Sequence, residues 1–573
     1  MHDPRTRILV ADALAGRITR RQSLSLGLRL GLASPVITAL IAANPGISRA
    51  SSPQTAPARL PAAQDGGGAF NVVIQSGFSD LDPQYAYDNL SSMFFLATYE
   101  MLLILKGSST DEFEPMLAES WEVSEDQSTY TFKLAPSAMF HDGTPCDAEA
   151  VKGSFARFLL QGGGPVNVIS RFVQDPDQME AVDATTIRFN LDRPQPLFLA
   201  AMASEYGPFI VNPKAIEANK TEDDPFAHQW LQENTAGSGP YRVTEFVPND
   251  RAVLERFADY HKGWGDSQFD QILIRVVAEN STRRQLIENG DADALTFSLT
   301  PDDVAALKGN ADLQILTYDT TNVQWVTMNA PRLKTKEVRQ GFSYAFPYEQ
   351  VVDGAYKGLL TRTSGPIPSA VRGYDPEGFV YQTDLAKAKE LILSGGFVEG
   401  DSFEYMLQSE DEVEAVVAQL FQANVAEMGF QLELTELDGA TLNQLEYGDL
   451  PAEERPHFFG GWSWWPDYND PWNMLAPNFL EASTGEGGAN AGYWVNERFE
   501  EIMAEAETYT DEEQLVALMK EAQNILTEQD PPGIYYGQLQ WYTILRKDIQ
   551  GYHDNPLYLG SYPFYEMSRT PTG

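Results

Sequence analysis

The sequence predicts an α/β protein of more than one structural unit, and three observations carry that reading. Segments with apolar residues at helical spacing alternate with segments whose apolar residues recur at every second position, the pattern of helices layered on sheets. The chain has 573 residues, more than one ordinary core accommodates. Its hydrophobic content of 43%, with 11% aromatic residues, is that of a globular chain.

The elements follow in order. Asn71-Val72-Val73-Ile74-Gln75 reads as an apolar strand ended by Leu81-Asp82-Pro83, and Leu90, Phe94, Ala97 and Met101 then stripe a helix. Trp121-Glu122-Val123, a polar SEDQS turn and Tyr130-Thr131-Phe132-Lys133-Leu134 form a hairpin by their period-two alternation. Asp147 is placed as the N-cap of a helix whose inner face carries Val151, Phe155 and Phe158. Further on, a helix from Leu385 to Leu393 stops at Gly395-Gly396. Another is expected to line its apolar face with Val413, Val416, Val417, Leu420 and Asn424; Gly429 stops it before a strand with Phe430, Leu432 and Leu434.

Composition excludes several classes of function. The net charge of −42 repels nucleic acid and anionic lipid headgroups. A single cysteine, Cys146, rules out an internal disulfide and a cysteine-based zinc site. The six histidines are scattered without metal-ligand spacing. No G-x-S-x-G elbow, H-E-x-x-H or P-loop lysine motif occurs.

The first 65 residues differ from the rest, with eight Lys and Arg against three Asp and Glu. Thr19-Arg20-Arg21-Gln22-Ser23-Leu24 precedes an uncharged stretch from Leu30, and this order resembles a twin-arginine export signal, with Ser23 where phenylalanine is usual. Ser48-Arg49-Ala50 puts cleavage after Ala50, so residues 1–50 read as signal peptide and 51–68 as a flexible linker. An uncleaved anchor is the alternative, but Pro35, Pro45 and Gly46 interrupt a stretch that would need roughly 20 apolar residues.

One family matches many of these stretches at once. They are LDP at 81–83, Tyr99-Glu100-Met101-Leu102-Leu103, the block from Glu114 to Phe158, GSGPYRV at 237–243, VTMNAPRLKTKEVRQGFSYAF at 326–346, GPIPSA, DLAKAKELI and the segment GWSWWPDYNDPWNM at 461–474. Together they resemble the family 5 solute-binding proteins of ABC importers, of the peptide and nickel type. The resemblance implies a two-lobed periplasmic-binding-protein-like fold of type II, with the ligand cleft between the lobes. It implies lobe I at 69–322 with an inserted subdomain at about 105–235, lobe II at 323–540, and a return to lobe I at 541–573. It further implies a monomer that carries a small solute, a peptide first, to membrane permease subunits. The location would be periplasmic or extracellular, with no cofactor, no metal, no nucleic acid and no catalysis.

Four of the ten tryptophans, Trp462, Trp464, Trp465 and Trp472, crowd into 461–474 together with Asp467 and Asp470. The resemblance implies that Asp467, in its Asp467-Tyr468-Asn469-Asp470-Pro471 context, meets a ligand ammonium. It also puts Trp464 on the ligand, with Trp465, Tyr468 and Asn469 beside it. A carboxylate in a dry cleft needs such a cation, because an uncompensated buried charge costs several kcal/mol. Asp470 is read as a turn former. Facing these, the loop after LDP offers Tyr85, Tyr87, Asn89 and Ser91, and Gln324 and Trp325 lie near the expected crossover between lobes. Gly461 stands where some oligopeptide binders carry an arginine, and Arg362 and Arg372 are the nearest cations along the chain to GPIPSA. Two rival readings remain open. A secreted hydrolase would use the Asp467–Asp470 pair, since catalytic carboxylates lie about 5–10 Å apart. A carrier of nickel would draw on His457, and sugars or amine compounds are further alternatives.

Overall fold

The structure is a computed structural model that describes residues 67–570 except 79, 297, 410, 486, 487, 508 and 510. The expected signal peptide and nearly all of the expected linker lie outside the described residues. Ala63–Gly573 forms one compact unit.

An eleven-stranded sheet runs through the molecule. Ten of its strands, numbered in chain order, are β1 (Ala69–Ile74), β2 (Tyr241–Val247), β3 (Arg251–Arg256), β4 (Gln271–Val276), β5 (Ala294–Thr296), β6 (Leu313–Met328), β7 (Ser402–Gln408), β8 (Gln431–Leu437), β9 (Phe458–Trp464) and β10 (Gly533–Arg546). Their order is β8-β7-β9-β6-β10-β5-β1-β4-β3-β2, and the two-residue strand Leu360–Thr361 pairs with β10. β1 lies parallel to both neighbours, β4 and β5. That explains its nearly unbroken apolar run, Phe70, Val72, Val73 and Ile74 all being buried.

β6 and β10 are long because they serve both lobes. The lower half of β6, Leu313–Asp319, pairs with Gln540–Arg546, and β5 continues that part of the sheet through Thr543–Leu545. The upper half, Val323–Thr327, pairs with Gly533–Gln538 and is flanked by β9. Between the halves the register shifts, and side chains close the gap. Thr320 donates its hydroxyl to the Leu539 carbonyl at 2.8 Å, and Gln538 donates to the Thr320 carbonyl at 2.6 Å. The chain therefore crosses between lobes on two antiparallel strands, one in each direction.

The inserted four-stranded sheet has the order Ala118–Val123, Thr129–Leu134, Thr186–Asn190, Met179–Asp183. Its hairpin alternates as expected, with Tyr130, Phe132 and Leu134 buried and Lys133 exposed. Five helices matter for the site: α1 (Asn89–Thr98), α2 (Ala148–Gln161), α3 (Glu412–Glu427), α4 (Gly439–Tyr447) and α5 (Pro471–Phe479). Asp147 caps α2 by accepting from the Ala150 amide at 2.9 Å. Met101, expected on α1, lies beyond its end, because the chain turns extended at Tyr99.

The inner face of α3 differs from expectation. Val417 is buried, but so are Glu414, Ala418, Phe421 and Val425, while Val416 is 42% exposed. The valines of this helix lie on more than one stripe, so periodicity did not choose between faces. The buried face includes a glutamate because Tyr405 and Tyr536 donate their hydroxyls to it. Among the described residues no helix is long and apolar enough to cross a membrane.

Candidate functional site

The tryptophan-rich segment leaves β9 at Trp464 and enters α5 at Pro471. Pro466 and Pro471 keep the intervening residues out of any helix, and Pro471 sits at the first helical position, where its missing N–H costs nothing. Asp470 caps α5, accepting from the Trp472 amide at 2.9 Å. Its other oxygen lies 3.3 Å from the Arg171 guanidinium, which stacks 4.0 Å over the Trp472 ring. Asp470 is thus committed to structure, and it ties the inserted subdomain to the tryptophan-rich loop.

Asp467 is held differently. Tyr87 donates its hydroxyl to one carboxylate oxygen at 2.5 Å, and the Asn473 amide donates to the other at 3.0 Å. Asn473 also accepts from the Asp467 backbone N–H at 2.6 Å, which fixes the turn. Among the described residues no cation pairs with this carboxylate. Burial raises its pKa above the ordinary aspartate value, and the two hydrogen bonds pull it back only in part. Tyr87 comes from the facing lobe. The residue is 48% exposed, and burial of its phenol group, followed by the Asp467 charge, pushes its pKa well up.

Beside this pair stand Tyr206 and Trp465. Trp465 donates its indole N–H to the Tyr206 hydroxyl at 3.1 Å, and Tyr206 meets Tyr87 edge to face at 4.8 Å. The Trp464 indole N–H is buried with no acceptor. The structure therefore brings together Tyr87, Trp465 and Asp467, and adds Tyr206 and Asn473, with Trp464 just before them at the end of β9. Sequence reasoning missed both additions. Asn473 lies inside the quoted segment at a spacing no motif marks, and Tyr206 is distant in sequence.

The other expected residues point elsewhere. Tyr468 is 3% exposed, hydrogen bonded to Arg171 at 3.1 Å and packed on Phe172. Asn469 uses its amide group on Thr110 at 3.0 Å and on the Arg372 backbone N–H at 3.1 Å, again joining the lobes. Tyr85 lies over the His228 ring at 4.0 Å. Asn89 opens α1, and Ser91, wholly buried, donates its backbone N–H to the Asp88 cap. Gln324 is buried and bonds Asn322 beside the crossover. Trp325 is 1% exposed, with its N–H on Thr327 and its ring among Trp462, Phe479 and Tyr535. These last two pack the hinge because the pleat at the bulge turns them inward.

The loop that carries Tyr87 is anchored from below. Asp82 is 0% exposed and takes a two-pronged contact from Arg157, at 2.5 and 3.0 Å, with His228 at 3.1 Å. Arg157 also donates to Gln84 at 2.7 Å and to the Phe226 carbonyl at 2.9 Å. The LDP motif is thus the buried root of the loop.

The glycines at 460 and 461 leave no room for a cation. A Cβ on Gly460 would collide with Tyr405 and Glu414, and Gly461 has φ +68°. Arg362 is turned away, 3.7 Å over the Tyr348 ring and 2.7 Å from the Tyr381 carbonyl. His457 accepts from the Glu404 backbone N–H at 3.1 Å, and burial lowers its pKa to about 4.

The family model for bacterial extracellular solute-binding proteins, family 5 (Middle), matches residues 112–486, well over half of the chain. The chain belongs to this family. A family 5 relative, the probable D,D-dipeptide-binding periplasmic protein DdpA of Escherichia coli K12, is 28% identical over 486 residues, covering 83% of this chain and 90% of its own. The glutathione-binding protein GsiB of Pectobacterium atrosepticum is 27% identical, covering 85% and 91%. Among solved structures, the ABC transporter-associated periplasmic binding protein DppA of Helicobacter pylori, in complex with the peptide STSA, superposes with a TM-score of 0.75 at 22% identity, covering 88% of this chain and 99% of that one. The two-lobed α/β fold is therefore that of the family 5 binding proteins.

The Tyr87–Asp467 contact has a consequence for the lobes. Tyr87→Phe removes one charge-assisted hydrogen bond across the cleft, worth about 1.5 kcal/mol at the lower end for a partly wet site. The closed arrangement should lose roughly tenfold in population. Small-angle scattering of the ligand-free variant should give a larger radius of gyration than wild type; equal radii would show that this bond does not hold the lobes together.

Proposed function

We propose that this chain is the substrate-binding component of an ABC importer, working outside the cytoplasm and carrying a short peptide whose free α-ammonium meets Asp467. The observation that carries this reading is a half-buried carboxylate without a cation, supported from both lobes by Tyr87 and Asn473. A primary ammonium supplies the missing charge and three donors. The unpartnered indole N–H of Trp464 supports a ligand with a carbonyl acceptor nearby. The names of DdpA and GsiB and the STSA complex of DppA point to the same ligand class.

The work of such a protein is capture and release, not turnover. Two lobes joined by two strands provide the two states that delivery to membrane permease subunits requires. Asp470, the second carboxylate of a hydrolase reading, is engaged with Arg171 and the α5 cap, which favours binding over hydrolysis. We further propose that the protein acts as a monomer without a resident cofactor.

Mass spectrometry of the protein purified without denaturation tests the ligand class. Short peptides with free N-termini should appear on acid release. Recovery of a saccharide, a metal chelate or an N-blocked compound in stoichiometric amount would overturn the peptide assignment.

A further inference from the structure

A second recess opens in the same lobe, along β9 just before Trp464. It encloses about 140 Å³ between α3, α4 and the Gly460–Gly461 stretch of β9, enough for a few waters or the end of an aliphatic amine. Its walls carry three acids, Asp411, Glu414 and Glu446, and no lysine, arginine or histidine. Two of the acids have partners. Asp411 caps α3 through the Val413 and Glu414 amides at 3.0 and 2.9 Å, and Glu414 receives the Tyr405 and Tyr536 hydroxyls.

Glu446 has none. It is 7% exposed, and among the described residues its carboxyl makes no hydrogen bond and no ion pair. Arg455, the cation within electrostatic reach, spends its guanidinium on the carbonyls of Glu446 and Leu450 at 3.0 and 3.1 Å and lies 4.7 Å from the centre of the Tyr493 ring. A carboxyl so buried stays ionised only beside a positive charge. Burial lifts the Glu446 pKa to about 7, with the Arg455 charge opposing it, and burial likewise lifts Glu414 to about 8.

The recess borders the start of the tryptophan-rich segment, with Trp462 and Ser463 on its wall. Tyr447, on its wall, lies 5.5 Å from the Trp462 ring and is among the groups whose field acts on the Tyr87 phenol. Ser463, also on the wall, directly precedes Trp464. A metal ion is not the natural occupant, since no three His, Cys, Asp or Glu side chains among the described residues are arranged to hold one.

We infer that this recess is a second cation site of the cleft, in which Glu446, with Glu414 behind it, takes an ammonium or guanidinium group carried by the ligand. The site rests on the reading of the cleft as the ligand site, and it narrows the cargo to solutes with a positive charge besides the one at Asp467. It also accounts for the glycines: a side chain at 460 would displace Glu414, and with it the acidic wall.

Calorimetry on the whole mature protein tests this with two matched pairs. Ala-Lys-Ala is compared with its norleucine isostere, and 1,5-diaminopentane with pentylamine. In wild type the extra cation should tighten binding at least tenfold in one pair or both, and Glu446→Gln should reduce that preference to less than threefold. Equal affinities within both pairs, or a preference that persists in Glu446→Gln, would overturn the inference. The wild-type comparison decides even if the variant folds poorly. If neither peptide binds but the diamine preference appears and depends on Glu446, the cation site stands and the peptide assignment falls.

Discussion

Asp467→Asn is expected to weaken binding of a short peptide by about 2–5 kcal/mol, roughly 30-fold to several thousand-fold, because it strips one partner from a desolvated charge pair while keeping the shape. A rim carboxylate would cost only about 0–1 kcal/mol. The neighbouring groups sharpen the forecast. Tyr87 and Asn473 donate to Asp467, and an asparagine accepts from only one of them without turning an N–H toward the other. Calorimetry with a peptide and its N-acetylated form gives the decisive comparison. Wild type should strongly prefer the free amine, and the variant should lose that preference. If acetylation leaves wild-type binding unchanged, Asp467 meets no ammonium. Affinity should also respond to pH with a definite sign. The ligand-free carboxyl has its pKa raised by burial, so it takes up a proton at higher pH than an exposed aspartate. An ammonium needs the ionised form, so affinity should decline on acidification from above the usual aspartate range.

Arg157→Met should destabilise the protein by about 3–5 kcal/mol, the cost of leaving a buried charge without its partner. Asp82 is wholly enclosed, and of its hydrogen-bonding partners only Arg157 carries a permanent charge. Urea unfolding followed by tryptophan fluorescence measures the change. Midpoints that coincide to within the equivalent of about 0.5 kcal/mol would show that the network contributes nothing net. Burial pushes the Asp82 pKa up, but the His228 and Arg157 hydrogen bonds, the Arg157 charge and the Gln84 amide together hold it below the usual aspartate value. A depressed acid contributes stability that is present above its unfolded value near 4 and is lost as pH falls through its folded value. The gap between wild type and Arg157→Met should therefore narrow in acid. Because Asp82 roots the loop that carries Tyr87, the variant should also bind ligand less tightly.

The contrast between Asp82 and Glu446 shows what the sequence made legible. LDP, the block from Glu114 to Phe158 and the tryptophan-rich segment are continuous stretches, so their local pattern marked the loop and the carboxylate that face each other across the cleft. Partners joined only by tertiary packing left no such trace. Tyr206 meets Trp465 from more than 250 residues away, and Arg171 reaches Asp470 from nearly 300. Glu446 looked like one acid among 82 acidic residues; only the packing of α4 beside the glycines of β9 buries it. Gln324 and Trp325 were near the crossover as expected, but strand alternation alone does not tell a hinge core from a cleft wall when a bulge resets the pleat.

The pairing of β5 with β10 bears on how the chain reaches this state. Ala294 sits opposite Leu545 in the sheet, so the first lobe cannot complete its sheet until nearly the last residues of the chain arrive. Everything between must be made, and the second lobe threaded through, before that strand slots in. Contacts so distant in sequence slow folding and leave unpaired strand edges open in the meantime. Nascent chains of this protein should therefore remain sensitive to protease until β10 has emerged, and a chain cut short before Gly533 would lack the strand that holds both halves of the sheet.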